Sequence, residues 1–133
     1  MTYALDTNIL TYLLQKNKQV EGALRDVLEQ GNEYAIPPVV YYEFKRWLTV
    51  KNAFAQLDKF NRIYRPTQKL PMSERCWDKA VDIYVKLIKS GKIIDDADIL
   101  ISAYCVINGY TLVTNNIRHF ERVDGLKLVN WVD

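Results

Sequence analysis

Histidine occurs once in this 133-residue chain and cysteine twice. Two thiols and one imidazole cannot supply the four nitrogen and sulfur ligands of a structural zinc site. A single imidazole also rules out paired-histidine acid–base cleavage of RNA. Cys76 and Cys105 stand in apolar helical contexts with no CxxC pair, as buried free thiols do. Long hydrophobic runs are missing: the longest, Ile99 to Ile107, covers nine residues including Ser102, against the ~20 that cross a bilayer. The N-terminus passes from Met1 through Tyr3-Ala4-Leu5 to Asp6 with no basic region or small-residue cleavage site. A cytoplasmic protein with no membrane partner is therefore expected. Repeats, linkers and low-complexity stretches are lacking too. With 49% hydrophobic and 26% charged residues, one globular domain over 1–133 is expected.

No sign of charge dominates overall, since 18 Lys and Arg meet 16 Asp and Glu for a net +2. That balance conceals a segregation along the chain. Residues 1–44 carry net −3, residues 45–92 carry twelve bases against four acids for net +8, and residues 93–133 carry net −3. Acidic ends enclose a basic middle.

What is present is an alternation of short apolar strands and amphipathic helices. Thr2–Leu5 reads as a buried strand, followed by helices over the Ile9/Leu10/Leu13/Leu14 and Val20 to Leu28 patterns. Tyr34–Ile36 is a second strand, and Pro37-Pro38 suits the first turn of the next helix. On that helix Val40, Phe44 and Trp47 form an apolar stripe with Glu43 at its edge. Further helices are expected over Asn52–Tyr64 and over Ser73–Ser90, the latter with Trp77, Val81, Tyr84 and Ile88 on one face. Asp95-Asp96-Ala97-Asp98 opens a helix apolar nearly all round, then Tyr110–Thr114 and Leu126–Val132 read as strands. This alternation predicts an α/β fold with a parallel sheet covered on both faces.

In such a sheet, ligands bind beyond the carboxyl ends of the strands. Asp6-Thr7-Asn8 and Thr114-Asn115-Asn116 fall at such ends, and Glu43 lies a turn and a half into a post-strand helix. Asp95, Asp96 and Asp98 open the apolar helix, where Asp98, Ser102 and Cys105 share one face. Each group has a structural account as well: Asp6-Thr7-Asn8 as a helix cap, and Asp95/Asp96/Asp98 as favourable first-turn charges. If Asp6, Glu43 and Asp98 sit ~6 Å apart, each pair repels by about 3 kcal/mol at an effective dielectric of ~20. Either some are protonated or a hard cation neutralises them, and an all-oxygen site suits Mg²⁺ or Mn²⁺. A bound cation permits phosphodiester hydrolysis without histidine.

As a set these residues resemble PIN domains, specifically the VapC-type toxins of bacterial toxin–antitoxin pairs. Leu5-Asp6-Thr7-Asn8-Ile9-Leu10 resembles the opening motif, and Val40-Tyr41-Tyr42-Glu43-Phe44 the glutamate motif. Asp98-Ile99-Leu100-Ile101-Ser102-Ala103 is similar to the late aspartate segment. Leu112-Val113-Thr114-Asn115-Asn116 with His119-Phe120 and Glu121-Arg122-Val123 resembles the last strand and turn. The resemblance spans essentially the whole chain. It implies a three-layer α/β/α sandwich around four to five short parallel strands, and a Mg²⁺- or Mn²⁺-dependent endoribonuclease. A cognate VapB-type antitoxin would inhibit it, and homodimers are common in the family.

Carried over residue by residue, Asp6 and Asp98 would be the principal metal ligands and Glu43 the third acid. Asn116 stands where many relatives have aspartate, which favours one ion or a second recruited with substrate. Thr114 matches a supporting hydroxyl; Asp96, and after it Asp95, could replace the missing charge. Attack by water would leave 5′-phosphate and 3′-hydroxyl ends on an RNA such as tRNA or another structured RNA. From the basic middle, Lys45, Arg46, Lys51, Lys59, Arg62 and Arg65 are the expected phosphate contacts, with Tyr41, Tyr42 and Tyr64 as stacking surfaces. Lys79, Lys86 and Lys89 read instead as solvated helix faces. Two other readings compete. One is a PIN-like module that binds RNA or protein without cleaving. The other is a haloacid-dehalogenase-type phosphatase, which needs an aspartate where Asn8 stands.

Overall fold

A computed structural model describes residues 1–132; Asp133, the last residue of the expected 1–133 domain, lies outside the described residues. Four strands, β1 (Thr2–Leu5), β2 (Glu33–Ala35), β3 (Thr111–Val113) and β4 (Lys127–Val129), form one sheet in the order β2-β1-β3-β4. All three pairings are parallel, with Ala4 opposite Ala35 on one side and Leu112 on the other. Among the described residues seven helices flank the sheet: α1 (Thr7–Leu14), α2 (Lys18–Glu29), α3 (Pro38–Val50), α4 (Phe54–Tyr64), α5 (Glu74–Lys89), α6 (Asp96–Asn108) and α7 (Ile117–Phe120). Neighbouring strand residues point to opposite faces, yet Ala4 and Leu5, like Leu112 and Val113, are all fully buried. Both faces of the sheet are thus covered, as the layered α/β expectation requires.

Local chemistry starts and stops these elements. Asn17 and Ser73 cap α2 and α5 by accepting from Val20 N at 3.0 Å and Cys76 N at 3.3 Å. Pro38 opens α3, where a missing N–H costs no intrahelical bond. Gly109 ends α6 at φ 69°, a left-handed conformation that suits glycine.

Several boundaries differ from the sequence reading. The second strand is Glu33–Ala35 without Ile36, and the last strands shorten to Thr111–Val113 and Lys127–Val129. Helix α4 begins at Phe54 because Asn52, at φ 52°, turns the chain out of helical geometry after α3. The inward faces of two helices also become defined. On α3 the buried set is Val40, Phe44 and Leu48, whereas Trp47 is 45% exposed. On α5 the buried set is Cys76, Ala80, Ile83 and Leu87, and Trp77, Val81, Tyr84 and Ile88 face outward. Small side chains at Cys76 and Ala80 let α6 approach; Ile83 and Leu87 then pack with Ile99, Ala103 and Val123. Cys76 and Cys105 are buried free thiols, as expected.

Candidate active site

Parallel pairing of β1 with β3 brings Asp6 and Thr114 together across 108 positions. Asp6 follows β1 directly, and its amide donates to Val113 O at 3.0 Å, fixing it at the shared strand ends. Its carboxylate is only 4% exposed. Oδ1 accepts from Thr7 N at 2.8 Å, and Oδ2 accepts from the Thr114 hydroxyl at 2.8 Å and from Asn8 Nδ2 at 3.2 Å. Asp6 is therefore both the α1 cap and a site acid. Burial pushes its carboxyl above the ordinary carboxylate range, with the hydrogen bonds from Thr114, Thr7 and Asn8 opposing that rise.

The Thr114 hydroxyl is fully buried and also accepts from Asn116 N at 3.0 Å. Asn8 accepts from Asn115 N at 3.0 Å through Oδ1, so its side chain ties the turn after β1 to the turn after β3. Sequence reasoning placed Asn8 in the motif without giving it this positioning role.

Asp98 enters from the first turn of α6. Burial raises its carboxyl, His119 opposes the rise, and the charges of Asp6 and Asp95 add to it. Its Oδ2 lies 3.3 Å from His119 Nδ1, and the same nitrogen lies 2.8 Å from the Asn116 side-chain amide. One ring nitrogen cannot accept from the amide and also satisfy an ionised carboxylate. Donation from Nδ1–H to Asp98 requires Asn116 to turn its carbonyl oxygen toward the ring. Sequence reasoning used His119 only as a landmark of the motif. Its signal was its place one helical turn after Asn116. Ser102 donates back to Asp98 O at 2.7 Å, so its hydroxyl is taken up by the helix backbone rather than offered to the site.

Glu43 is half-buried on α3. Burial raises its carboxyl, Arg46 opposes that, and Asp6, Asp98 and Asp95 raise it further. The three expected acids thus share one field. Asp95 and Asp96 are exposed, and it is Asp95 that adds to the field at Glu43 and Asp98. Among the described residues no three acidic, histidine or cysteine side chains converge closely enough to enclose an ion by themselves. The donor chemistry nevertheless suits a hard cation that keeps several waters. A carboxylate offers about four acceptor sites, and three at Asp6 are taken, which leaves one on Oδ1.

The expected RNA contacts lie on α3, α4 and the turn after them, Lys59 half-buried and Lys45, Arg46, Lys51, Arg62 and Arg65 exposed. Three cover aromatic rings four positions earlier: Lys45 over Tyr41 at 5.1 Å, Arg46 over Tyr42 at 4.8 Å and Lys51 over Trp47 at 4.0 Å. Tyr41 and Tyr64 stack on each other at 4.4 Å and against Phe60, so they are packing residues; Tyr42 is exposed.

Comparison with known proteins places this geometry in a family. A model described as PIN domain matches residues 3–126. Ribonuclease VapC2 of Rickettsia felis is 30% identical over 132 residues, spanning 98% of each chain. The tRNA(fMet)-specific endonuclease VapC of Shigella flexneri is 28% identical over 136 residues, again spanning 98% of each. Among solved structures, VapBC2 from Rickettsia felis bound to a promoter DNA fragment contains a chain that superposes with a TM-score of 0.87. That chain is 28% identical, with 99% of this chain and 100% of the other covered.

Proposed function

From the premise that the chain belongs to the PIN domain family and to its VapC group, we propose that it is the endoribonuclease toxin of a toxin–antitoxin pair, dependent on Mg²⁺ or Mn²⁺. The observation that carries this reading is the carboxylate of Asp6, buried at the end of β1, held by three donors and sharing its field with Asp98 and Glu43, whose carboxyls are also raised.

Asp6 and Asp98 would hold the ion, with Glu43 and Asp95 contributing through water. Bound there, it would lower the pKa of a water and offset charge developing on the phosphate. The chain's own groups do the rest. Thr7, Asn8 and Thr114 fix the Asp6 oxygens, so the acid does not reorganise during turnover. His119 Nδ1 orients Asp98. Glu43, raised above its ordinary range, takes the proton of the attacking water at its carboxylate. Attack of this water on phosphorus breaks the bond to the 3′ oxygen, which takes a proton from solvent water, and leaves 5′-phosphate and 3′-hydroxyl ends. Asn116 lies beside Asp98 through its contact with His119 and adds no charge, in keeping with a single ion.

The inhibitory partner is a VapB-type antitoxin. Two adjoining grooves of about 320 and 340 Å³ share Thr11, Phe44 and Trp47, and the second reaches Glu43. A segment seated along them would reach the acids. A homodimer belongs to the same reading, with the outward stripe of α5 as its surface. No helix among the described residues is long and apolar enough to cross a membrane, and action on RNA in the cytoplasm completes the proposal.

The test is to incubate purified protein with total RNA in Mg²⁺, Mn²⁺ or EDTA and to map the new ends. New 5′-phosphates that require metal and vanish with Asp98→Asn support the reading. Cyclic 2′,3′-phosphate products, or cleavage in EDTA, would overturn the mechanism. RNA binding without cleavage in any metal would assign the chain to the non-catalytic class.

A further inference from the structure

On the far side of α6 from α3 lies a cavity of about 280 Å³ between the C-terminal half of α5 and the turn after α7. Lys79, Lys86, Lys92 and Arg122 line it together with Asp82 and Asp124, over an apolar floor of Ile83, Leu87 and Val123. In the sequence Lys79 and Lys86 read as solvated helix faces, and Arg122 stands in the motif after the last helix. The fold gathers them from α5, the strap over residues 90–95 and the segment after α7.

Their pairing is uneven. Asp82 is shared by Lys79 and Lys86 in exposed ion pairs, a type that contributes little and is readily exchanged for another anion. Lys92 and Arg122 pair with no carboxylate among the described residues; Arg122 Nη1 donates to Ile93 O at 3.1 Å and so holds the strap against the α7 exit. The cavity thereby keeps Lys92 without a carboxylate partner and Arg122 with further guanidinium donors free.

Its position gives this charge a use. The strap runs directly into Asp95, Asp96 and Asp98, and Arg122 lies three positions beyond His119, which contacts Asp98 at 3.3 Å. The acids that would hold the ion repel a polyanion everywhere except at the bond being cut, so flanking phosphates need cations to either side. Helices α3 and α4 provide them on one side. We propose that the cavity of Lys79, Lys86, Lys92 and Arg122 is a phosphodiester subsite that holds RNA on the other side of the cleaved bond. This rests on the endoribonuclease reading above.

The experiment measures equilibrium binding of labelled tRNA and of a mixed-sequence oligoribonucleotide in EDTA, across a range of salt. The proteins are wild type, Lys92→Gln/Arg122→Gln, Arg122→Lys as the charge-keeping variant, and Lys18→Gln on α2 as a control for generic loss of charge. Circular dichroism checks that each is folded. Loss of two phosphate contacts is expected to weaken binding roughly tenfold at moderate salt and to flatten the log–log salt slope by about 1–2. Arg122→Lys should keep most of both, and Lys18→Gln should match wild type. Equal affinity and slope in wild type and the double variant would overturn the subsite. If polyglutamate then binds wild type but not the variant, the cavity belongs to an acidic protein segment instead. Failure of wild type to bind either RNA overturns the endoribonuclease reading together with the subsite, an outcome distinct from failure of the cavity alone.

Discussion

Asp6 concentrates the demands of the site on one residue: it caps α1, anchors to β3 and exposes a single acceptor position. Its support depends on Thr114, whose hydroxyl gives its proton to Asp6 Oδ2 and takes one from Asn116 N. Thr114→Val keeps the shape and deletes these two bonds, with the longer one from Asn8 Nδ2 at 3.4 Å, in a fully buried place, so it should cost about 1–3 kcal/mol in urea unfolding at pH 7. Asp6, Asp98, Glu43 and Thr114 were legible in the sequence because strand ends and helix starts are marked by local residues. The roles of Asn8 and His119 were not, since their partners lie 107 and 21 positions away and depend on how the strands pair. The raised carboxyls of Asp6, Glu43 and Asp98 also set a pH dependence. A raised native value means that the folded state holds protons that the unfolded chain has already released. These acids therefore favour the fold below the ordinary carboxylate range near pH 4 and lose that support as pH rises through their raised values. In metal-free buffer Asp98→Asn should accordingly melt above wild type at pH 7, and the two should converge toward about pH 3. A Tm difference that does not change with pH would contradict the linkage.

Among the elements, the helices were legible as helices and their faces less so. Helix α5 carries two apolar stripes one position apart, and a hydrophobic period of 3.6 residues does not say which meets the protein's own core. Trp77, Val81, Tyr84 and Ile88 share one face in the sequence, which left open whether that face meets the core or a partner. The structure turns in Cys76, Ala80, Ile83 and Leu87, the stripe of smaller side chains. Trp47 on α3 was misread for the same reason, with Leu48 taking its place in the core. The two stripes of α5 should respond differently to substitution. Ile83→Ala, which opens a cavity in the core, should cost about 2–5 kcal/mol in denaturant unfolding. Val81→Lys, at a site 62% exposed, should change monomer stability by no more than about 0.5 kcal/mol. If the outer stripe joins two copies, Val81→Lys should nonetheless shift the protein to monomer in analytical ultracentrifugation. Wild type that sediments as a monomer at all concentrations would remove that surface from the dimer.

For the molecule as a whole, the order β2-β1-β3-β4 sets β1 and β3 side by side at the centre of the sheet. It thereby joins the acidic ends of the chain at one edge and leaves the basic middle on surrounding helices. The near-neutral total of +2 is the sum of two separated fields, a division visible in the sequence only as runs, since their meeting depends on the crossover of the chain. Such an arrangement stores repulsion in the absence of an ion. A cation that binds the native state and not the unfolded chain should relieve it, stabilising by about 2.7 kcal/mol when present at a hundred times its Kd. For a chain of this size that is a rise in Tm on the order of 10 °C. Asp98→Asn, having lost one ligand, should respond weakly. The order of the two proteins is then expected to reverse, the variant melting higher in EDTA and wild type higher in Mg²⁺, as followed by differential scanning calorimetry at pH 7. Reversal separates an ion held by these acids from general screening of surface charge, because screening raises both curves together. Equal shifts of wild type and variant would detach the metal from Asp98 while leaving the fold unchanged.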